Sequence, residues 1–184
     1  ESMVRLNAVA ARALSAGVRV RGYLSCVMGC PYEGTVAPAT VAAMADDLAQ
    51  MGCYEISLGD TIGAGSPHRV RALIDEVTRR VSPERLAGHF HDTRGMGVAN
   101  VYAAMLSGVR VFDASVAGLG GCPFAPGASG NVATEDVVYM LEDAGIDTGI
   151  DLRQLVDVAR WVSGVLDRQP ASRVAHAFGT ARNP

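Results

Sequence analysis

The chain has 184 residues, 49% of them hydrophobic, with 16 basic and 19 acidic side chains and a formal net charge of −3, which suits one compact unit with a sizeable core. Every Lys/Arg position is an arginine, and these are dispersed and outnumbered by acids, so no basic face is evident and nucleic acid is not an expected partner. No stretch reaches the roughly 18 consecutive apolar residues that a membrane span needs, and no signal peptide is visible, so no membrane association is expected.

The first residue is Glu1, which precedes a helical spacing of apolar residues at Met3, Leu6, Val9, Ala10 and Leu14; the chain reads as a piece of something longer. Strands are then predicted over residues 18–25, 54–58, 87–91 and 109–116, and helices over 38–51, 67–80, 97–106 and 134–144. Gly17, Gly52, Gly108 and Gly145 stand where helices should end, supplying the left-handed cap. Strands alternating with helices in this way argue for parallel βαβ units. Beyond Gly149, Asp151 caps a further amphipathic helix through 167 that carries Leu155, Val158, Ala159 and Val162 on one face. The tail from Ala171 shows no clear pattern. Cys26, Cys30, Cys53 and Cys122 lack disulfide-framework or CxxC spacing and suit a reducing compartment, and Cys26 with Cys30 as a metal pair is a minor alternative.

At period two, Arg21, Tyr23 and Ser25 share a face, as do Glu55 and Ser57, His89 and His91, and Asp113 and Ser115, with Leu24, Ile56, Leu58, Phe90 and Phe112 mainly opposite. A doubly wound sheet meets helices on both faces and should be apolar on both, whereas a (βα)8 barrel turns a polar face into its interior near the catalytic end. The pattern therefore favours a TIM barrel. Glu55, Ser57 and Asp113 fit either a hydrogen-bonded polar core or a catalytic role.

Two segments carry chemistry. In HFHDT, residues 89–93, two imidazoles on one strand face can chelate a single metal ion, and with an oxygen donor such as Asn131 a hard ion, Mg²⁺ or Mn²⁺, is favoured over structural zinc. The stretch SVAGLGGCPFAPGASGN, residues 115–131, sets Cys122 among glycines and two prolines, a composition that permits close ligand approach; a long surface connection with an incidental thiol is the alternative. Its spacing matches neither GxxxxGK(S/T) nor GxGxxG, so a nucleotide phosphate cradle is not supported.

Together with RGYLSCVMGCPYEG (residues 21–34), GCYEISLGDTIG (52–63) and NVATEDVVYML (131–141), these segments give a sequence that resembles the 3-hydroxy-3-methylglutaryl-CoA lyases through most of its length, the Gly-Gly-Cys-Pro loop being the most specific match. The resemblance implies an α/β fold, a parallel (βα)8 TIM barrel of which this chain supplies the second half, strands five to eight, in residues 1–147, with a C-terminal helical extension in 148–184. It implies cleavage of 3-hydroxy-3-methylglutaryl-CoA to acetyl-CoA and acetoacetate with a divalent metal, and an acyl-CoA substrate as partner. The metal ligands fall on His89, His91 and Asn131. Cys122 becomes the general acid; Asp60 supports substrate and proton transfer, with a turn cap as its alternative; Tyr23 and Gly121 contact substrate; Glu135 buttresses the site. The Arg-Asp pair that such lyases carry on the first strand is not in this sequence, so the chain alone is expected to be catalytically silent, and to form a homodimer when intact. Arginine-only usage points to a bacterial cytoplasm, with the mitochondrial matrix as the alternative. A related metal-dependent aldolase or Claisen-type synthase, and a silent half-barrel, are the competing functions.

Overall fold

The computed structural model describes residues 2–121 and 130–180. Four strands, β1 (Arg21–Leu24), β2 (Glu55–Asp60), β3 (Leu86–Phe90) and β4 (Val111–Asp113), form one parallel sheet in sequential order. Helix α1 (Ser2–Ser15) precedes it, and α2 (Pro38–Gln50), α3 (Pro67–Val77) and α4 (Gly97–Leu106) each carry the chain from one strand to the next. α5 (Thr134–Asp143), α6 (Leu152–Val165) and α7 (Arg173–Thr180) follow β4. Both Pro38 and Pro67 open their helices at the first turn, where the missing N–H would have had no partner. Gly17, Gly52, Gly108 and Gly145 have φ between +75° and +97°, the left-handed conformation expected of them.

The sheet separates two environments. Its outer face packs Leu24, Ile56, Leu58, Leu86 and Phe90 against the buried faces of α2, α3 and α4, through Val41, Leu48, Val70, Ile74 and Val101 among others. The spacing at i, i+3, i+4 and i+7 in α3 (Val70, Leu73, Ile74, Val77) is what makes this one continuous core. The polar residues occupy the opposite face, and the register aligns Arg21 with Glu55, Tyr23 with Ser57, and His89 with Asp113. A parallel sheet with an apolar outside and a polar inside is the barrel arrangement expected from the period-two reading.

The first strand, expected over 18–25, is confined to Arg21–Leu24, and two stretches differ further from expectation. The fourth strand, predicted to run to 116, ends at Asp113, and a 3-10 turn, Val116–Gly118, follows with Ala117 at φ 57°. The strand is diverted because Ser115 pairs instead with the returning chain: its N–H donates to Val132 O and its carbonyl accepts from Thr134 N. In the tail, α7 forms because the Ser172 hydroxyl accepts from the Ala175 amide while Asp136 of α5 accepts from the Arg173 and Val174 amides. Three of the amides at the helix start are thus satisfied, two of them by a residue nearly forty positions away, which no local pattern reveals.

Among the described residues, β1 pairs only with β2 and β4 only with β3, so both sheet edges present unpaired backbone groups, and α1 leaves Val4 and Val9 more than two-thirds exposed. Unpaired edges beside apolar surface template further pairing. The 184-residue chain by itself is expected to self-associate, and sedimentation velocity over a concentration series checks it; a single monomeric species at all concentrations would contradict the expectation.

Candidate functional site

The inner face of the sheet converges on one carboxylate. Asp113 accepts from Arg21 Nη1 at 2.9 and 3.2 Å and from Ser57 Oγ at 2.8 Å, and its Oδ2 lies 3.5 Å from His89 Nδ1. Arg21 also pairs with Glu55 through Nε, contacts the Tyr23 hydroxyl, and stacks its guanidinium over the Tyr23 ring at 4.8 Å. Burial alone would raise the pKa of Asp113, but the hydrogen bonds from His89, Ser57 and Arg21 and the charge of Arg21 outweigh it and lower the value to about 2. For Arg21, burial would lower the pKa, and the bonds and charges of Asp113 and Glu55 overcome it, leaving a raised value and a permanent cation. Glu55, Ser57 and Asp113 therefore form the hydrogen-bonded polar core that was one of their two readings, and Asp113 additionally reaches His89.

A proton on His89 Nδ1, held by that carboxylate, leaves the Nε2 lone pair as the donor. His91 follows at the end of β3 and is buried, its ring centroid 5.4 Å from that of His89 with a 46° tilt. Asn131 pairs with His91 in an isolated antiparallel bridge, because the returning segment runs beside the exit of β3: Val132 N donates to Phe90 O and Asp92 N to Gly130 O. The Asn131 amide is oriented by Nδ2 donating to Leu119 O at 2.9 Å, which leaves Oδ1 buried and without a hydrogen-bond partner among the described residues. Two imidazoles and an uncommitted amide oxygen are a donor set that fits a hard to borderline divalent ion. No group of three or more His, Cys, Asp and Glu is assembled for a metal among the described residues, so the amide oxygen is needed to reach three donors, and Cys26 and Cys30, both partly exposed, do not form a metal cluster there.

The loop that predicts chemistry is framed by backbone contacts. Gly118 and Gly120 have φ of 64° and 113°, and a Cβ built on Gly130 would overlap the Gly118 carbonyl oxygen, so the two ends of the loop pass each other too closely for side chains. Cys122 lies outside the described residues. Gly121 is exposed at the edge of the described segment, and Tyr23 is more than half exposed on the inner face.

Asp60 is fully buried, with Oδ1 accepting from Ala64 N at 2.9 Å and Oδ2 from Gly65 N at 2.7 Å. Both oxygens hold the loop after β2, the arrangement of a turn cap. Glu135 is also fully buried; its Oε1 accepts from Ala117 N at 2.8 Å, and burial pushes its carboxyl pKa upward. Sequence reasoning missed the arginines that lace the catalytic end. Arg94 donates to Ile62 O and Gly63 O, and Arg69 to Ala64 O and Met28 O. It also missed Arg168, which lines a cavity of about 320 Å³ together with Asp92, Gly120, Asn131 and Ala171. Scattered arginines carry no sequence pattern that marks such roles.

The HMGL-like family model matches residues 1–162. The chain is 55% identical over 178 residues to the 3-hydroxy-3-isohexenylglutaryl-CoA/hydroxy-methylglutaryl-CoA lyase of Pseudomonas aeruginosa, covering 97% of this chain and 59% of that protein. The crystal structure of hydroxymethylglutaryl-CoA lyase from Pseudomonas aeruginosa superposes with a TM-score of 0.92 at 55% identity, over 96% of this chain and 59% of the other. An HMG-CoA lyase from Acinetobacter baumannii, in complex with coenzyme A and 3-methylmalate, superposes with a TM-score of 0.90 at 39% identity, over 97% and 59%. The chain thus spans somewhat more than half the length of the relatives it matches.

The Asp113 network predicts a pH dependence. Its folded pKa of about 2 lies below the unfolded value of roughly 3.9, so the carboxylate stabilises the fold fully above the unfolded value, and this contribution is lost as pH falls through the folded one, on the order of 2 kcal/mol in total. Asp113→Asn is expected to lower stability at pH 7 by about that amount, with the gap to the parent narrowing steadily below pH 4. Urea unfolding of the metal-free protein from pH 7 to pH 3 checks it; a pH-independent gap would remove Asp113 as the source.

Proposed function

This chain belongs to the HMGL-like family, and from that premise we propose that it is the part of a carbon–carbon lyase that cleaves 3-hydroxy-3-methylglutaryl-CoA to acetyl-CoA and acetoacetate. The observation that carries the reading is the convergence of His89, His91 and the uncommitted Asn131 Oδ1 at the catalytic end of the sheet, beside a loop whose ends only glycine can form. An acyl-CoA substrate is supported by the Acinetobacter baumannii relative, which holds coenzyme A. Homodimer assembly and a bacterial cytoplasm complete the proposal; among the described residues no helix is long and apolar enough to cross a membrane.

His89, His91 and Asn131 would hold Mg²⁺ or Mn²⁺, which supplies Lewis-acid polarisation of substrate oxygens at the reacting centre. The chain's own residues then fix what surrounds it. Asp113 keeps the His89 ring in one orientation, Leu119 O does the same for the Asn131 amide, and Asp60 holds the loop after β2 in one shape through two backbone amides, so the site is preorganised and does not have to be assembled on binding. Transfer of the substrate's tertiary hydroxyl proton to solvent turns that oxygen into the ketone of acetoacetate, and the electrons of the broken carbon–carbon bond pass to the thioester as an enolate. Cys122 donates its thiol proton to the enolate carbon, giving acetyl-CoA. Glu135 acts on the site indirectly, by fixing the turn at Ala117 from which the loop departs.

Two experiments on the intact enzyme test this. His89→Ala and His91→Ala are each expected to weaken Mn²⁺ binding and to cut turnover of 3-hydroxy-3-methylglutaryl-CoA by several orders of magnitude, read by titration calorimetry and acetyl-CoA release. Retained metal affinity and rate in both variants would overturn the assignment, and release of a different product would move the reading to an aldolase or synthase. Cys122→Ser keeps the size but raises the acid's pKa far above the thiol's ordinary value of about 8.5; kcat is expected to fall at least about a hundredfold with substrate and metal affinity retained, as when an interaction matters mainly in the transition state. A near-normal kcat would remove Cys122 as the essential acid.

A further inference from the structure

We propose that Arg94 is a positioning residue that clasps the loop after β2 onto the backbone of His91 and thereby fixes a metal-holding imidazole, an inference that rests on the function proposed above. The need for a clasp follows from the register. β2 and β3 pair as far as Asp60 with Phe90, so the ladder stops one residue short of His91. On one side His91 is held by the returning segment, through the bridge to Asn131 and the bond from Asp92 N to Gly130 O. On the β2 side the strand has ended, and the chain that meets His91 is the loop 61–66. It comes close: a Cβ built on Gly63 would lie 2.8 Å from Thr93 Oγ1 and 3.0 Å from the His91 carbonyl oxygen. Gly63 also has φ 57°, so both space and conformation require glycine at this contact.

The Gly63 amide does not secure the contact, because it donates back to Asp60 O at 3.1 Å. Arg94 does. Its Nη1 donates to Ile62 O at 2.8 Å and to Gly63 O at 3.0 Å, so one permanently charged guanidinium takes two successive carbonyls. The next two are taken by other elements: Ala64 O accepts from Arg69 of α3 at 2.9 Å, and Gly65 O from Asn100 of α4 at 3.2 Å. Four successive carbonyls of the loop are therefore held by side chains. Arg94 differs from the other two in its base. It stands in a turn closed by Gly95 N donating to Asp92 O at 2.9 Å, and Asp92 caps α4 by accepting from Gly97 N at 2.6 Å. That turn starts at the residue after His91, so the pull of Arg94 on the loop presses Gly63 onto the His91 backbone. With the clasp open, the peptide at His91 is confined from one side only, and the imidazole has to be realigned when a metal binds, which costs affinity.

The test uses the intact enzyme with Arg94→Ala, Arg94→Lys and, for comparison, Arg69→Ala, which frees Ala64 O and Met28 O without touching the turn after His91. Arg94 and Arg69 are both exposed, so the variants are expected to fold, with thermal midpoints close to the parent. Mn²⁺ affinity is read by calorimetry without substrate, and amide hydrogen exchange is followed over residues 61–66. Arg94→Ala is expected to speed exchange there and to weaken Mn²⁺ binding about tenfold, the lower end for groups that support a metal ligand. Turnover should fall at limiting Mn²⁺ and largely return when Mn²⁺ is raised, a rescue that a general loss of structure would not allow. Arg94→Lys, with one compact ammonium in place of the fork, should lie between Arg94→Ala and the parent. Arg69→Ala should speed exchange in the same loop and leave Mn²⁺ affinity nearly unchanged. Unchanged Mn²⁺ affinity in Arg94→Ala, or an equal loss in Arg69→Ala, overturns the assignment. If the unsubstituted enzyme binds no Mn²⁺, the metal reading of the site fails, and the clasp then stands on faster exchange in Arg94→Ala or falls on unchanged exchange.

Discussion

The carboxylate of Asp113 on β4 meets a partner from each of the other three strands: Arg21 from β1, Ser57 from β2 and His89 from β3. Arg21 and Asp113 are ninety-two positions apart and two strands intervene between theirs, so the pair spans the concave side of the sheet like a chord across an arc. The inner face has little apolar area to bury, and withdrawing an arginine and two acids from water is costly unless each finds a partner. Here each does: Arg21 is shared between Asp113 and Glu55, and Asp113 between the arginine, a hydroxyl and an imidazole. Such networks contribute little net stability compared with an apolar replacement of the same shape. What a hydrophobic inner face could not supply is a fixed orientation for the His89 ring, and that is the link from packing to function.

The second constraint is on the backbone. His91 and Asn131 come together because residues 130–132 run back along the end of β3, exchanging hydrogen bonds at Asp92, Gly130, Phe90 and Val132. The same return pulls Ser115 away from the sheet and ends β4 early. It also forces Gly130 against Gly118, and Gly120 against the Asn131 amide, at separations where a Cβ would collide. The glycines at the ends of the cysteine loop thus have a steric reason: they let the two ends cross beside the Asn131 amide. A side chain at either position would move Asn131 before it moved anything in the core.

The helices were legible because their apolar faces, opening prolines and closing glycines are local signals that agree with one another, as in α3 from Pro67 to Val77. The polar inner face was legible from period two alone, and His89 with His91 from the same alternation. The residues that sequence left ambiguous are those whose role depends on a distant partner. Asp60 reads as a residue of the proton-transfer site, with a cap as its alternative, until both oxygens are found on Ala64 and Gly65. Asp113 reads as core or catalyst, and the structure makes it both a core partner and the support of a proposed ligand. Helix α7 escaped because its start is held by Asp136 across a gap of thirty-seven residues, and Arg168 because an arginine after a helix has no distinguishing neighbours in sequence.

Glu135 and Asp136 are adjacent in the first turn of α5, where negative charge is favoured by the helix dipole, yet their side chains serve opposite ends of the active face. Glu135 turns inward and receives the Ala117 amide, fixing the start of the glycine-rich loop. Asp136 receives the Ser172 hydroxyl and the first amides of α7, fixing the end of the extension. Ala117 and Ala171 then bond to each other, closing a circuit from α5 to the loop, to the extension and back to α5. Around it, Ala117, Val156, Ala159 and Ala175 form a small apolar cluster of their own, separate from the core beneath the sheet. Small side chains there let the backbones approach closely enough for the circuit to close. The glycine-rich loop therefore leaves from a base held by one short helix and the segment that follows it, while the imidazoles are held by the sheet. The proposed metal ligands and the base of the loop thus rest on different parts of the fold, so substitutions in the α5–α7 circuit should disturb the loop before they disturb His89 and His91.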